Sequence, residues 1–171
     1  MLDRIIATLT ATLLYTIGGQ FEVPIGPVPF ILADFFVFFA ALRLRPFDFA
    51  ISVLLFLALG GLGTPVFAGG AGGFSHLIGP TSGYLFGYLF GGLLVSHFQS
   101  RLNNAILKLL NVFFGYYLLF VLGTTGLVFT TDLSLQDALK TGFTPFILSM
   151  HFKAAVAWGL NLVLPPAQLT F

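Results

Sequence analysis

The chain has 171 residues, of which 57% are hydrophobic, 16% aromatic and only 8% charged, with a mean hydropathy of +1.00. A water-facing surface needs about a quarter of its residues charged, so this composition excludes an ordinary soluble domain and assigns a membrane-embedded protein in contact with the lipid bilayer. Seven basic and six acidic residues leave a net charge of +1, too sparse a set to track phosphates, which excludes a nucleic-acid partner, and the absence of cysteine excludes disulfides and thiolate-held metals.

A helix crosses the hydrocarbon layer with about 20 apolar residues. Six stretches are read as spans, at 5–17, 30–42, 49–59, 82–98, 107–129 and 143–164, giving an all-α bundle of six transmembrane helices in a single domain over residues 1–171. The first span carries Ala7-x-x-x-Ala11, a small-residue stripe that lets another helix approach closely. Arg4 ahead of a short apolar core also suits a signal peptide, but no clear Ala-x-Ala cleavage site follows, so the segment is read as a retained span. The second span begins after Gly26-Pro27-Val28-Pro29 and holds Asp34 about one turn in.

After the third span comes a segment at 60–80 with eight glycines and no charged residue. It is too apolar for an exposed linker and too rich in glycine for a helix. Two readings stand: a backbone that approaches a ligand closely, or a re-entrant loop that only packs. It is not a phosphate-binding loop, because Pro80-Thr81 follows its last glycine where a Lys-Ser/Thr pair is required. The fourth span repeats glycine at 83, 87 and 91, the spacing of close helix packing.

The basic residues sort to one side. Arg4, Arg43, Arg45, Arg101 and Lys108 fall at one set of helix ends, and the opposite loops at 18–29, 60–80 and 130–142 carry Lys140 as their only base. The positive-inside rule then predicts a multi-pass protein with both termini cytoplasmic. The longer, glycine- and aromatic-rich connections lie outside, where a binding site is expected.

Lys153 is the residue that most constrains function. It sits within Phe146-Ile147-Leu148-Ser149-Met150-His151-Phe152-Lys153-Ala154-Ala155-Val156, and an ammonium at bilayer depth costs roughly 3 kcal/mol on insertion scales. Either it pairs with Asp34, or it takes the carboxylate of a ligand while Asp34 accepts from ligand N–H groups. Ser149 and Met150, four and three residues earlier, share its helix face, whereas His151 is about 200° away and is expected to make a packing or interhelical contact. His76, His97 and His151 fall on different elements, so no metal site is expected, and no catalytic constellation or cofactor motif appears; the chain is not expected to be an enzyme.

Three blocks, Gly26-Pro27-Val28-Pro29, Gly63-Thr64-Pro65-Val66-Phe67-Ala68-Gly69-Gly70-Ala71-Gly72-Gly73 and Gly79-Pro80-Thr81-Ser82-Gly83-Tyr84-Leu85-x-Gly87, resemble the BioY family, with Pro145-Phe146 and Lys153 fitting its last helix. These are biotin-capturing subunits (S components) of energy-coupling-factor transporters in the bacterial plasma membrane. The resemblance implies an outward-opening biotin pocket and three partners: a transmembrane coupling subunit met through Ala7 and Ala11, and a cytoplasmic ATPase pair. It implies that Lys153 meets the biotin carboxylate, that Phe67, Phe74 and Tyr84 form walls, and that the backbone of Gly69, Gly70 and Gly73 meets the ureido ring or caps the pocket as a lid. Two positions depart from the family pattern. The acidic residue three places before the lysine is Met150 here, and the Ile-Thr-Leu-Gln-Thr segment reads Phe30-Ile31-Leu32-Ala33-Asp34. Asp34 is therefore expected to supply the lost acceptor, with Ser149 adding a weaker hydrogen bond. Competing readings are a self-sufficient secondary carrier for a small carboxylate vitamin or organic anion, and a structural protein held by an Asp34–Lys153 ion pair.

Overall fold

The computed structural model of the chain describes residues 1–24 and 26–164. Chain punctuation sets the helix ends. The first helix, α1 (Leu2–Gln20), runs into a two-residue antiparallel hairpin, β1 (Glu22–Val23) with β2 (Phe30–Ile31), in which Glu22 faces Ile31. Next comes α2 (Ala33–Arg43), then α3 (Pro46–Gly61), separated by only Leu44 and Arg45. Pro46 opens α3 because a first-turn position needs no amide hydrogen and suits the fixed φ of proline. Beyond the glycine-rich segment lie α4 (Ser75–Ile78), α5 (Ser82–Gln99) and α6 (Ala105–Thr130). The last is capped by the Asn104 side chain, which accepts from the backbone amides of Ile106 and Leu107 at 2.7 and 3.3 Å. The chain ends its described part with α7 (Leu135–Gly142) and α8 (Ile147–Val163).

The six expected spans correspond to α1, α2, α3, α5, α6 and α8. Two details differ. The second span starts at Ala33 rather than at residue 30, because Phe30 and Ile31 are spent on the hairpin. At 11 residues and about 1.5 Å per residue, α2 is much shorter than the hydrocarbon layer is thick. The hairpin precedes it, and the joint between them is tied to α1, the Leu32 amide donating to Gly18 O at 3.0 Å. The second difference is α7, which occupies the expected loop at 130–142. Ser134 caps it, its hydroxyl accepting from the Asp137 amide at 3.2 Å and donating to Oδ2 of Asp137 at 2.7 Å. Ala138 and Gly142 turn inward, and the charged residues stay outside.

The tightest helix pair is α5 against α6. A Cβ at Gly83 would strike Leu122 O and Gly126 Cα, one at Gly87 would strike Leu119, and one at Gly91 would strike Gly115 O. The run at 83, 87 and 91 therefore packs within the chain, and α6 answers it with Gly115, Gly123 and Gly126. Further in, Phe38 stacks on Tyr116 with ring centroids 3.9 Å apart. Large apolar side chains also point outward, among them Leu9 and Leu13 of α1, Phe114 and Phe129 of α6, and Leu148 and Phe152 of α8. An aqueous domain would not display such a surface; a lipid-facing bundle does.

The α1–α3 seam is polar. Arg4 donates from Nη2 and Nε to the two oxygens of Asp48 at 2.7 and 2.9 Å, Thr12 donates to Ser52 O at 3.0 Å, and the Tyr15 hydroxyl meets Ser52 Oγ at 3.0 Å. On the stripe assigned to a partner, Ala7 is half-buried and Ala11 is buried, both against the chain's own core.

Candidate ligand site

The end of the bundle that carries the hairpin and the glycine-rich segment encloses a cavity of about 320 Å³, within the range of small-molecule sites, about 300–1,000 Å³. Nine parts of the fold line it: the end of α1, the hairpin, the start of α2, the end of α3, the glycine-rich segment, the α4–α5 corner and the inward faces of α5, α6 and α8. Its walls are mostly apolar and aromatic, from Val28, Phe56, Phe67, Tyr84, Tyr88, Phe120 and Phe146. Its polar groups are few: the buried Asp34 and Lys153, the more exposed Glu22, His76 and Thr81, and the hydroxyls of Tyr84 and Tyr88.

Lys153 and Asp34 are joined. The ammonium donates to both carboxylate oxygens, at 2.8 and 3.0 Å, and to Ile31 O at 2.6 Å, and it lies 4.1 Å from the centroid of the Phe30 ring. Each residue is 6% exposed. The local structure explains why they meet. Ending the hairpin at Ile31 leaves its carbonyl free of a helical partner, and starting α2 at Ala33 puts Asp34 in a first turn, where the helix dipole favours a carboxylate. The α8 helix then delivers Lys153 from the other side.

The glycine-rich segment, tied back to the end of α3, forms a cap that lines the same cavity. Gly69, Gly70 and Gly73 have φ of +61°, +76° and +115°, a region costly to any side chain. The Gly73 amide donates to Gly60 O at 2.7 Å, and the Phe67 amide to Ala71 O at 2.9 Å. Phe67 is thereby driven inward over Gly60, where there is no room for a Cβ, with its ring edge-on to Phe56 at 5.4 Å. The Gly69 backbone lies against the Glu22 carboxylate, so the cap and the hairpin meet over the cavity.

The BioY family model matches residues 2–167. The chain belongs to the BioY family. It is 34% identical to the biotin transporter BioY of Thermotoga maritima over 146 residues, which are 85% of this chain and 86% of that one. It is 37% identical to the biotin transporter BioY2 of Lactococcus lactis over 145 residues, 82% of this chain and 79% of that one. A crystal structure of the S-component for biotin from an ECF-type ABC transporter superposes with a TM-score of 0.90 at 28% identity, covering 99% of this chain and 96% of the other.

Within this BioY fold, Lys153, Asp34, Phe67 and Tyr84 all reach the cavity. Tyr84 is oriented by its hydroxyl, which donates to Gly142 O at 2.7 Å. Gly69, Gly70 and Gly73 shape the cap, but the residues they flank, Ala68 and Ala71, form its lining. Three expected residues stand off the wall. Ser149 donates to Phe146 O at 2.9 Å, Met150 is buried in the core behind the site, and Phe74 is 66% exposed on the outside of the cap. His151 makes the expected interhelical contact, its Nε2 lying 3.2 Å from the Tyr117 hydroxyl.

The sequence reading missed Glu22, His76 and Tyr88. Tyr88 was within reach of helical periodicity, four residues after Tyr84 on the same face of α5. Glu22 and His76 had only a weak signal, as polar side chains within otherwise apolar outer segments.

Proposed function

We propose that this chain is the substrate-capturing S component for biotin of an energy-coupling-factor transporter. Its cavity opens to the outside, its arginine- and lysine-rich end and its termini are in the cytoplasm, and it resides in the plasma membrane of a bacterial cell. The observation that carries the reading is the Asp34–Lys153 pair, set in the wall of a ligand-sized aromatic cavity under a glycine cap. The chain is a transport subunit rather than an enzyme. Transport itself requires a transmembrane coupling subunit and an ATPase pair that supplies the energy; Ala7 and Ala11, packed against the chain's own core, let the helices of this chain approach one another and are not proposed as the surface that meets the coupling subunit.

The closed pair bears on how biotin lies. The ureido ring and the carboxylate are at opposite ends of biotin, so two side chains 2.8 Å apart address the same end. An adjacent acceptor and donor match a ureido group, with its N–H groups donating to Asp34 and its carbonyl accepting from Lys153. A ligand carboxylate placed there would be repelled by Asp34. The ureido ring is therefore assigned to the Asp34–Lys153 end, and the tail to the mouth, near His76 and Thr81. This reverses the carboxylate role that the resemblance suggested for Lys153.

Equilibrium binding of radiolabelled biotin to the purified chain tests the function. Binding at about one per chain is expected, and Lys153→Ala should weaken it about 30-fold or more, since truncating a buried charged partner costs about 2–5 kcal/mol. Absence of biotin binding in the folded wild-type chain would refute the proposal. Competition by biotin methyl ester decides the orientation. With the ureido end at the ion pair the neutral ester competes within a few-fold of biotin, and with the carboxylate at Lys153 it fails.

A further inference from the structure

The short helix α7 joins the end of α6 to the start of α8, at the end of the bundle that carries the cap. Its rotation is fixed from inside. Ala138 is fully buried, and the Gly142 carbonyl accepts from the Tyr84 hydroxyl at 2.7 Å. A helix turns about 100° per residue, and the other positions follow from these two. Leu135 and Leu139 lie about 40° apart on one flank, 62% and 41% exposed. Gln136, Asp137 and Lys140 cover the side away from them, all exposed. Lys140 Nζ lies 4.0 Å from Asp137 Oδ1 there. The helix thus turns its small residues to the bundle, two leucines to one side and a polar, charged face outward.

Lipid, a second copy of the chain and another protein compete as the cover for those leucines, and the surroundings of α7 select lipid. Phe129, near the end of α6, and Leu148, in the first turn of α8, are each 84% exposed. They belong to the lipid-facing surface of the two helices that α7 connects, so α7 stands where that surface meets water. A helix with leucines along one flank and charges along the other suits this boundary. Two leucines also make far too small a patch for a stable protein interface, which takes about 800 Å² from each partner.

The geometry points to α7 as an interfacial helix docked on the phospholipid layer. Leu135 and Leu139 enter the boundary between headgroups and acyl chains, where Phe129 and Leu148 continue the apolar surface into the hydrocarbon. Gln136, Asp137 and Lys140 stay in water. The docking is independent of whatever ligand the cavity takes, so it stands or falls apart from the assignment of biotin.

Tryptophan fluorescence of the full chain in phosphatidylcholine vesicles tests this. Trp158, the single tryptophan, is first removed by Trp158→Phe, and Leu135→Trp, Leu139→Trp and Gln136→Trp are then made one at a time. The quenchers are phosphatidylcholine brominated on its acyl chains, either near the glycerol or near the chain ends, and iodide in the water. Leu135→Trp and Leu139→Trp should lose most of their emission to bromine near the glycerol, less to bromine near the chain ends and little to iodide. Gln136→Trp should lose its emission to iodide and keep it against the brominated lipids. A cooperative melt in detergent at the temperature of the Trp158→Phe parent reports that each variant is folded. Strong iodide quenching of both leucine variants would place the helix in water and overturn the proposal. Protection of both from iodide and from bromine would also overturn it, by marking a protein cover such as a second copy. So would equal lipid quenching of Gln136→Trp and Leu135→Trp, which would abolish the two-sidedness of the helix.

Discussion

Asp34 and Lys153 hold each other in a place where neither would rest alone. Breaking a buried ion pair from one side leaves an uncompensated charge and costs about 3–5 kcal/mol, whereas replacing both partners by groups of similar volume is often nearly neutral. Asp34→Asn alone should therefore lower the melting temperature in detergent more than the Asp34→Asn, Lys153→Met double variant does. Both should lose biotin binding. A double variant that kept its biotin affinity would reduce the pair to a structural strut. Asp34 also shows how far residue-level reading extends. The sequence shows an acid at position 34 and a methionine at 150. That Asp34 lies beside Lys153 depends on the 2.8 Å contact between helices distant in the chain, which no local pattern encodes.

At the scale of elements, glycine carries two different duties. On α5, Gly83, Gly87 and Gly91 bring two backbones together, and any side chain there meets α6 main chain. Gly87→Leu should destabilise the bundle by several kcal/mol, about the cost of severe overpacking, and a thermal melt in detergent would register it as loss of the cooperative transition at ordinary temperature. In the cap, Gly69 serves conformation: its φ is +61° and the Glu22 carboxylate lies where a Cβ would go. Gly69→Ala should cost about 1–2 kcal/mol, borne by the cap and not by the helices. Biotin dissociation should accelerate about tenfold while the melting temperature barely changes, as stopped-flow release measurements would reveal. The fourth-span glycines were legible because their spacing is periodic. The cap was legible only as an anomaly of composition, since an irregular backbone has no period to read. The α7 helix escaped notice although Ser134 and Asp137 announce its start, because its eight residues are too few to set up a convincing apolar stripe.

Over the whole molecule, the fold follows that of the S-component for biotin from end to end, with one ligand cavity closed over the Asp34–Lys153 pair. The chain alone is expected to bind biotin without concentrating it. In vesicles containing only this chain, bound label should saturate near one biotin per chain and should not respond to a pH or sodium gradient. Gradient-driven accumulation would instead establish the secondary carrier. Adding a coupling subunit with its ATPase pair should convert binding into ATP-dependent uptake.

Composition alone determined that this chain lives in lipid, because too few charges exist to cover a surface in water. The apolar runs marked out the helices α1, α2, α3, α5, α6 and α8, and the cost of an ammonium in hydrocarbon singled out Lys153. The identity of that lysine's partner, the inward turn of Phe67 and the entry of Glu22, His76 and Tyr88 into the cavity were decided only by tertiary structure. Each depends on where separate segments come to lie against one another, and the chain specifies those positions through the packing of all its helices at once, not through any neighbourhood along its length.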